Sequence, residues 1–587
     1  MSKVLGIIGA RLNSSRLPRK HLLDLAGQPV IARIFERLAQ VPEFDCLVLA
    51  TTDDAYNQPL IDWASGYGQA VFPFRGDVND LVGRVDAVVE TEQPDIVVYI
   101  CGDSPLIEPR TISLLIQHQQ SHPEADIVEL ATPPHGKFIH EGFSIYSRST
   151  WQRIVAASQS ADDKEHVGSV LKRLRPTMCV HAIDDNPIFS RIEHRISVDT
   201  PSDYLFMAEV YRRWYATNPL ESIVSLPWVI AELAQDLQLT AINQAVRQKA
   251  VGEHSVPILI VSQTGPGIGL GHLTRCLALA HALQDHHFAG VRLLIQGPSV
   301  NKSGLELIPH QFITTTDDLA EAIRREFALK PPHVVILDLH AEHLPLNLPA
   351  VLKNLGQQKV IRVGIDSLHH LKDDLDLICL PGFHAPQSVL AACAPTPTRY
   401  GWPYYLIEGR GIRKPWQPGN QVIVLTGGSD ITGLGQTLPQ QLDLALPLGT
   451  IVNWVRGPYA AAPIMPEQPR LAWQIHHAPQ DLDHLITQAN YALTIYGVSL
   501  FELLQQGIPS VVFSPYGERD NAEIPALIAA NVAIVRPDSA SALSALSDLM
   551  NAPDSARQLA ARGPLHVDAQ GPARLAKDIF TLLDQNR

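Results

Sequence analysis

The sequence is poor in the features that mark secreted, membrane-spanning or nucleic-acid-coating proteins. Its six cysteines (Cys46, Cys101, Cys179, Cys276, Cys379 and Cys393) are scattered through 587 residues without a C-x-x-C pair, so they indicate neither a disulfide framework nor a zinc site, and a reducing cytoplasm fits. The apolar run at the start is cut by Arg11; it is too short to span a membrane and lacks the layout of a signal peptide. Positive charge is also short. The formal net charge of −14 speaks against nonspecific binding to nucleic acid or to an anionic membrane, and any phosphate ligand must be held by local cations. With 45% hydrophobic and 18% charged residues, the chain has the composition of a globular enzyme, and its length predicts three or four folding units, or two large domains each with subdivisions. Histidine is the exception to this scarcity, but 24 of them are too many to read as one site.

The stretch with most chemistry is Gly6 to Leu22, G-I-I-G-A-R-L-N-S-S-R-L-P-R-K-H-L. The apolar run Val4 to Ile8 predicts a buried strand, which empties into a polar turn carrying Ser14, Arg11, Arg16 and Lys20, stiffened by Pro18. At the carboxyl end of a strand in an open α/β sheet, a turn rich in N–H donors and cations suits a polyphosphate. The same residues also suit a solvated basic loop after an edge strand. Helical spacing over Pro29 to Leu38 and an apolar run at Cys46 to Ala50 then predict the strand, helix, strand of a doubly wound sheet.

Two later segments offer carboxylates. Asp95 to Ile100 reads as a strand buried on both faces and stops at Gly102-Asp103-Ser104-Pro105, which suits either Mg²⁺ beside a triphosphate or a helix N-cap. A short strand predicted at Ile196 to Val198 delivers Asp199, and Thr200-Pro201 then opens a helix with Asp203 in its first turn. Capping accounts for Thr200 and Asp203 but leaves Asp199 unexplained.

Together these residues resemble the A-R-x-x-S-x-R-L-P-x-K, G-D-x-P-L-I and V-D-T-P-x-D signatures of sugar cytidylyltransferases, the enzymes that activate 3-deoxy-manno-octulosonic acid and sialic acids, and in particular their spore-coat branch. The resemblance implies that Arg11, Ser14, Arg16 and Lys20 bind CTP, with Arg16 and Lys20 acting in catalysis, and that Asp103 and Asp199 bind Mg²⁺. An acidic 2-keto sugar is the implied second substrate. The Arg75-Gly76 and Gly83-Arg84 pairs resemble the family's F-R-G and L-x-R-Y elements, with Arg75 a nucleotide contact, and Glu165-His166-Val167 resembles an E-H-V element. The segment His135 to Tyr146 is a candidate wall for the sugar. The family also implies a homodimer through this domain. One departure is Arg19, where the family usually has glycine.

The run I-N-Q-A-V-R-Q-K, Ile242 to Lys249, resembles the tail of the same branch, and the join is placed near Val251 to Ser255. A fresh strand follows at Val256 to Ser262, then a glycine-rich turn, Thr264 to His272, and a helix over Leu273 to Leu283. Such a turn at a helix N-terminus can cradle phosphate, while His272 at that place could equally cap or pack. The longer G-x-G-H-x-x-R-C-L-A-L-A resembles the UDP-sugar hydrolases of pseudaminic acid synthesis, which share the two-lobed glycosyltransferase architecture. The resemblance makes His272 a catalytic base and implies that Gly271, Gly427, Gly428, Ser429, Ser499 and Glu502 bind a UDP-sugar. Phe501 departs from the family, some of whose hydrolases carry a catalytic asparagine there; Ser262-Gln263-Thr264 departs where the family is acidic.

The expected fold is α/β: an N-terminal Rossmann-like nucleotidyltransferase domain (1–250), then a two-lobed glycosyltransferase-B-like region with lobes at 255–416 and 417–587. The expected function is bifunctional: CMP transfer from CTP to a 2-keto acid sugar, and hydrolysis of a UDP-amino sugar. A glycosyltransferase or a catalytically silent nucleotide-sugar module is the alternative for the second half.

Overall fold

The computed structural model describes residues 2–586 apart from positions 135, 141, 248–252, 367, 410–412, 414, 480, 481, 517–519 and 521. The expected join at 251–255 therefore falls partly outside the described residues, as do His135 and Glu141 of the predicted sugar wall and the last residues of the Ile242 to Lys249 run. The chain divides into two compact units, Met1–Glu253 and His254–Arg587. No helix among the described residues is long and apolar enough to cross a membrane.

The first unit is built on β1 (Val4–Gly9), β2 (Cys46–Thr52), β3 (Ala70–Phe74), β4 (Ile96–Cys101), β5 (Ile127–Leu130), β6 (Phe143–Ser147) and β7 (Val180–Ile183). They lie in the order β3-β2-β1-β4-β6-β5-β7, parallel from β3 to β4, with β6 antiparallel to both neighbours. Alternation in β1 shows why both faces are covered. Val4 and Ile8 join a core with α1 (Val30–Leu38) and α3 (Pro109–Ser121), while Leu5 and Ile7 join the opposite core with α2 (Leu81–Glu92). A strand buried on two sides has no polar positions to spare, hence its continuous apolar run.

The second unit holds two all-parallel sheets. The first comprises β8 (Val256–Gln263), β9 (Ala289–Gln296), β10 (His310–Ile313), β11 (Val334–Asp338), β12 (Ile361–Ile365), β13 (Leu377–Cys379) and β14 (Thr398–Arg399), ordered β10-β9-β8-β11-β12-β13-β14. The second comprises β15 (Gln421–Leu425), β16 (Ile451–Arg456), β17 (Ala472–His477), β18 (Tyr491–Ile495), β19 (Ser510–Phe513) and β20 (Ile534–Arg536), ordered β17-β16-β15-β18-β19-β20. Both sheets reverse direction beside their first strand, which is the Rossmann order and puts the ligand crevice at the carboxyl ends of the central strands. The α/β class and the paired Rossmann lobes expected from the sequence are both present.

Two expectations need correction. Residues 196–198 form no strand: the segment is irregular, tied by Val198 N–H to the Asp103 carbonyl at 2.8 Å, a single bond where a ladder needs several. The last helix, α7 (Gly571–Asn586), does not stay with its own lobe: Leu575, Ala576, Ile579 and Leu583 are buried in the core of the first lobe among residues of β8 and β9. Its apolar stripe finds its partners there, although by chain position it lies within 417–587.

Candidate functional sites

In the first unit the polar loop leaves the end of β1 and is pinned on three sides. Ala10 N–H reaches the Ala50 carbonyl at 3.2 Å, Leu12 N–H reaches Asn57 Oδ1 at 2.7 Å, and Arg19 N–H returns to the Leu12 carbonyl at 2.7 Å. Arg19 has φ of 59°, a left-handed conformation that costs a side-chain-bearing residue roughly 1–2 kcal/mol. The loop thus keeps a glycine-like conformation where the resembling family carries glycine.

Lys20 follows in a short 3₁₀ turn and is buried. Its Nζ lies 2.9 Å from Asp103 Oδ2 and 2.7 Å from Asp199 Oδ1. Burial works to lower the Lys20 pKa, and the Asp103 and Asp199 charges overcome it and raise the ammonium above its ordinary range. Burial likewise works to raise the Asp199 carboxyl, but Lys20, Arg195 and Arg16 hold it below the usual carboxylate range. Arg16 Nη2 stands 3.6 Å from Asp199 Oδ2, and Arg195 Nη2 also donates to that oxygen. Arg195 Nε then pairs with the buried Asp203 at 3.0 Å.

The approach of Asp103 depends on the glycine before it. Gly102 N–H donates to the Gly9 carbonyl at 3.0 Å, and a Cβ at Gly102 would come within 2.7 Å of that same oxygen. His21 Nδ1–H donates to the Gly102 carbonyl at 2.7 Å, which ties the loop to the end of β4. Burial, then the Lys20 charge, pushes the His21 pKa down to about 3, so the imidazole is neutral.

Arg16, Lys20, Asp103 and Asp199 therefore meet in one cluster. Arg11 does not join it: its guanidinium binds the Val78 carbonyl at 3.0 Å, Asn79 Oδ1 at 2.5 Å and Glu165 Oε1 at 3.4 Å. Arg75 is exposed and paired with Asp53 at 2.8 Å. Ser14 Oγ accepts from Leu17 N–H at 3.4 Å inside the loop. In the predicted sugar wall His140 is buried and bonded to Asp185 at 2.9 Å. The sequence reading missed His21 and Arg195. The spacing of Arg195 to Asp199 and Asp203, four and eight residues on, was the available signal for the second; a lone histidine after Lys20 gave none for the first.

In the second unit α5 (Gly271–His287) begins at the glycine turn, where Gly267 and Gly269 have φ of 84° and 77°. His272 and Arg275 share its first turn. His272 Nδ1 lies 2.6 Å from Oδ1 of Asp338, the last residue of β11, and Arg275 clamps Asp338 (2.6 and 2.7 Å) and Asp366 (2.5 Å). Burial works to raise the Asp338 carboxyl, yet Arg275 and His272 hold it at about 2. Arg275 Nη2 also lies 2.9 Å from His272 Nδ1, but a guanidinium accepts no hydrogen bond, so the Nδ1 proton goes to Asp338 and Nε2 is left as the basic nitrogen. Asp338 and Arg275 were not anticipated as this support.

A cavity of about 580 Å³ opens here, its wall including Gly267, Arg275, Asp366, Gly428, Ser429 and Phe501. A second of about 240 Å³ is lined by Gly271, Lys302, Gly428, Ser499 and Glu502. His272 is in neither lining; its neighbour Arg275 and the Asp366 that Arg275 holds line the first. The glycine turns of the two lobes face each other closely, since a Cβ at Gly428 would sit 3.3 Å from the Leu270 nitrogen. The buried Ser429 hydroxyl has no partner among the described residues. Glu502, on α6 (Val498–Gln506), has its pKa raised by burial, with Lys302 opposing. Phe501 stacks on Tyr405 with ring centroids 3.8 Å apart and also packs against Phe383, Trp402 and Tyr496.

Residues 5–155 match the cytidylyltransferase family, so the first unit carries a cytidylyltransferase domain. The 3-deoxy-manno-octulosonate cytidylyltransferase of Escherichia coli is 33% identical over 130 residues, which are 22% of this chain and 51% of that protein. The chain spans about half the length of the curated cytidylyltransferases it matches. An uncharacterized protein of Methanocaldococcus jannaschii is 25% identical over 253 residues, 43% of this chain and 98% of that one. Among solved structures, MurG of Acinetobacter baumannii aligns at 14% identity and a TM-score of 0.38, covering 56% of this chain and 99% of its own.

Proposed function

We propose that the first unit transfers CMP from CTP to an acidic 2-keto sugar with release of pyrophosphate. The observation that carries this is the convergence of Lys20 and Arg16 on Asp103 and Asp199, two carboxylates from separate segments that meet beyond the carboxyl end of β4. Their oxygens suit Mg²⁺, which needs carboxylate and phosphate ligands and would neutralise charge on the triphosphate when bound. Within the cluster, cations and carboxylates balance one another. An incoming triphosphate draws Lys20 and Arg16 off the carboxylates, and the two cations then stabilise the charge that develops on departing pyrophosphate. In the reaction the anomeric hydroxyl of the sugar attacks the α-phosphorus in line, the P–O bond to pyrophosphate breaks, and the hydroxyl proton is lost to solvent or a nearby base.

The test is pyrophosphate release from CTP and Mg²⁺ with 3-deoxy-manno-octulosonic acid and a panel of sialic acids. Asp103→Asn and Asp199→Asn should each lower the rate by more than about a hundredfold in folded protein. Lys20→Ala should cost on the order of 10²–10³. Near-normal turnover in either carboxylate variant removes that residue from the metal site.

For the second unit we propose that the cleft binds a UDP-amino sugar and that His272, oriented by Asp338, activates water at the anomeric carbon. A cavity of this size fits a nucleotide sugar, and the Ser429 hydroxyl and the glycine turns offer donors to diphosphate. The apolar setting of Phe501 favours a second reading, in which the sugar passes to an acceptor hydroxyl, because an aromatic wall excludes water rather than orienting it.

A further inference from the structure

In the first unit, His118, His122 and His181 bring one ring nitrogen each to within 4.8 Å of the others. The first two come from the end of α3 (Pro109–Ser121) and the residue that caps it, four residues apart, so their side chains lie one above the other on the same helix face. Their rings stack with centroids 4.0 Å apart. His181 reaches them from β7, the edge strand of the sheet, and its Nδ1 is 2.9 Å from His118 Nε2.

The hydrogen bonds set the tautomers. His122 Nδ1 lies 3.1 Å from the His118 carbonyl, an oxygen that can only accept, so Nδ1 carries the proton and Nε2 holds a free lone pair. An imidazole with its other nitrogen bonded to a backbone carbonyl is the arrangement in which histidines ligate metals. His118 and His181 share a single proton between two nitrogens, and a metal ion would replace it, releasing the proton to solvent. All three side chains are partly exposed, so an ion can enter and the rings can adjust.

We propose that these three histidines form a zinc-binding site that clips the edge strand β7 to α3. Three neutral nitrogens suit Zn²⁺ and offer nothing to Mg²⁺, which takes oxygen ligands. A tetrahedral centre with Zn–N bonds of about 2.0–2.1 Å needs ligand nitrogens roughly 3.4 Å apart, within a small rotation of the spacing observed. The fourth position is left for water. Ile127 at the start of β5 pairs with Val180 beside His181, so the site lies on the edge strand at the end of the sheet where β5 and β7 begin, whereas Asp103 follows the carboxyl end of the central strand β4. It is therefore distinct from the CTP cluster.

The test uses the full chain without a polyhistidine tag, stripped by chelator and dialysed. Zn²⁺ is titrated in competition with a chromophoric chelator, for wild type and for His118→Gln/His181→Gln. Wild type should bind one more equivalent than the variant, or bind it more than a hundredfold tighter. Co²⁺ should give the visible band of a four-coordinate ion in wild type alone, and Zn²⁺ should raise the melting temperature of wild type alone. Unchanged Mg²⁺-dependent pyrophosphate release certifies the variant's fold. If the double variant does not fold, His122→Gln replaces it, with at least tenfold weaker Zn²⁺ binding expected. Equal Zn²⁺ binding in wild type and variant, or no Co²⁺ band in wild type, overturns the proposal.

Discussion

At the scale of single residues, His21 is the group whose ionisation most directly reports on the cluster of Lys20, Asp103 and Asp199. Its folded pKa of about 3 lies below the 6.5 of a free imidazole, so between those values the unfolded chain binds more protons and stability rises with pH. The contribution is complete above about pH 6.5 and is lost as the pH falls toward 3, at about 1.4 kcal/mol per pH unit. His21→Asn, which keeps a donor for the Gly102 carbonyl, should be less stable than wild type at pH 7, and the gap should close with acid. Urea unfolding at pH 7, 6, 5 and 4 reads it; parallel curves would mean that the buried neutral imidazole contributes nothing. The sequence could not show this, since burial of His21 arises from the return of the loop onto Gly102. That Lys20, Arg16, Asp103 and Asp199 belong together was legible because each sits in a motif of the same resembling family, and the structure brings the four side chains into contact. Arg11 and Arg75 were legible only as cations: their carboxylate partners, Glu165 and Asp53, lie 154 and 22 residues away.

Among the elements, α4 (Pro201–Tyr215) has the clearest sequence signal, with Thr200 as N-cap, proline in the first turn and Asp203 three residues on. Thr200 Oγ1 accepts from Asp203 N–H at 3.2 Å, and Asp203 Oδ2 accepts from the N–H groups of Asp199 and Thr200, both at 3.1 Å. The capping box thereby fixes the backbone of Asp199, so capping of this helix and the proposed placing of Asp199 for a metal do not compete. Reading 196–198 as a strand failed because two apolar residues either side of a serine, Ile196 and Val198 around Ser197, occur in an irregular segment as readily as in a ladder, and the single hydrogen bond from Val198 to Asp103 is no ladder. Thr200→Ala should cost about 1 kcal/mol of stability and leave turnover close to normal. Asp203→Asn removes the charged partner of Arg195 and should cost about 2–3 kcal/mol. It should also raise the Mg²⁺ concentration needed for half-maximal pyrophosphate release, because Asp199 is no longer held. An unchanged Mg²⁺ requirement in folded Asp203→Asn would show that Asp199 keeps its place without the box.

Over the whole molecule, the join near Val251 to Ser255 was legible from the fresh strand and glycine turn that follow it, and the two compact units divide there; the return of α7 to the first lobe was not legible, because an amphipathic stripe does not name the surface it covers. Each unit carries its own carboxylates and its own cations, with Asp103 and Asp199 paired to Lys20 and Arg16, and Asp338 and Asp366 to Arg275. The two chemistries should therefore fail separately. His272→Ala should abolish UDP release from UDP-linked N-acetylated amino sugars while leaving CTP-dependent pyrophosphate release within about twofold of wild type. A positioned general base contributes about a hundred- to ten-thousand-fold, and Asp338 holds His272 in the tautomer such a base requires, so Asp338→Asn should lose much of the same activity by presenting the wrong nitrogen. Diphosphate leaves without a general acid, so the rest of the reaction falls to the glycine turns and to Ser429 and Ser499. Assays run on one preparation with water alone, and then with candidate acceptor sugars, separate the two readings of the cleft. Free sugar and UDP in water mean hydrolysis; UDP released only when an acceptor is present means transfer, with Phe501 as the wall that keeps water out. UDP binding without either product in wild type would leave the cleft a binding module and end the assignment of His272 as a base. Loss of pyrophosphate release in folded His272→Ala would refute the independence of the two units.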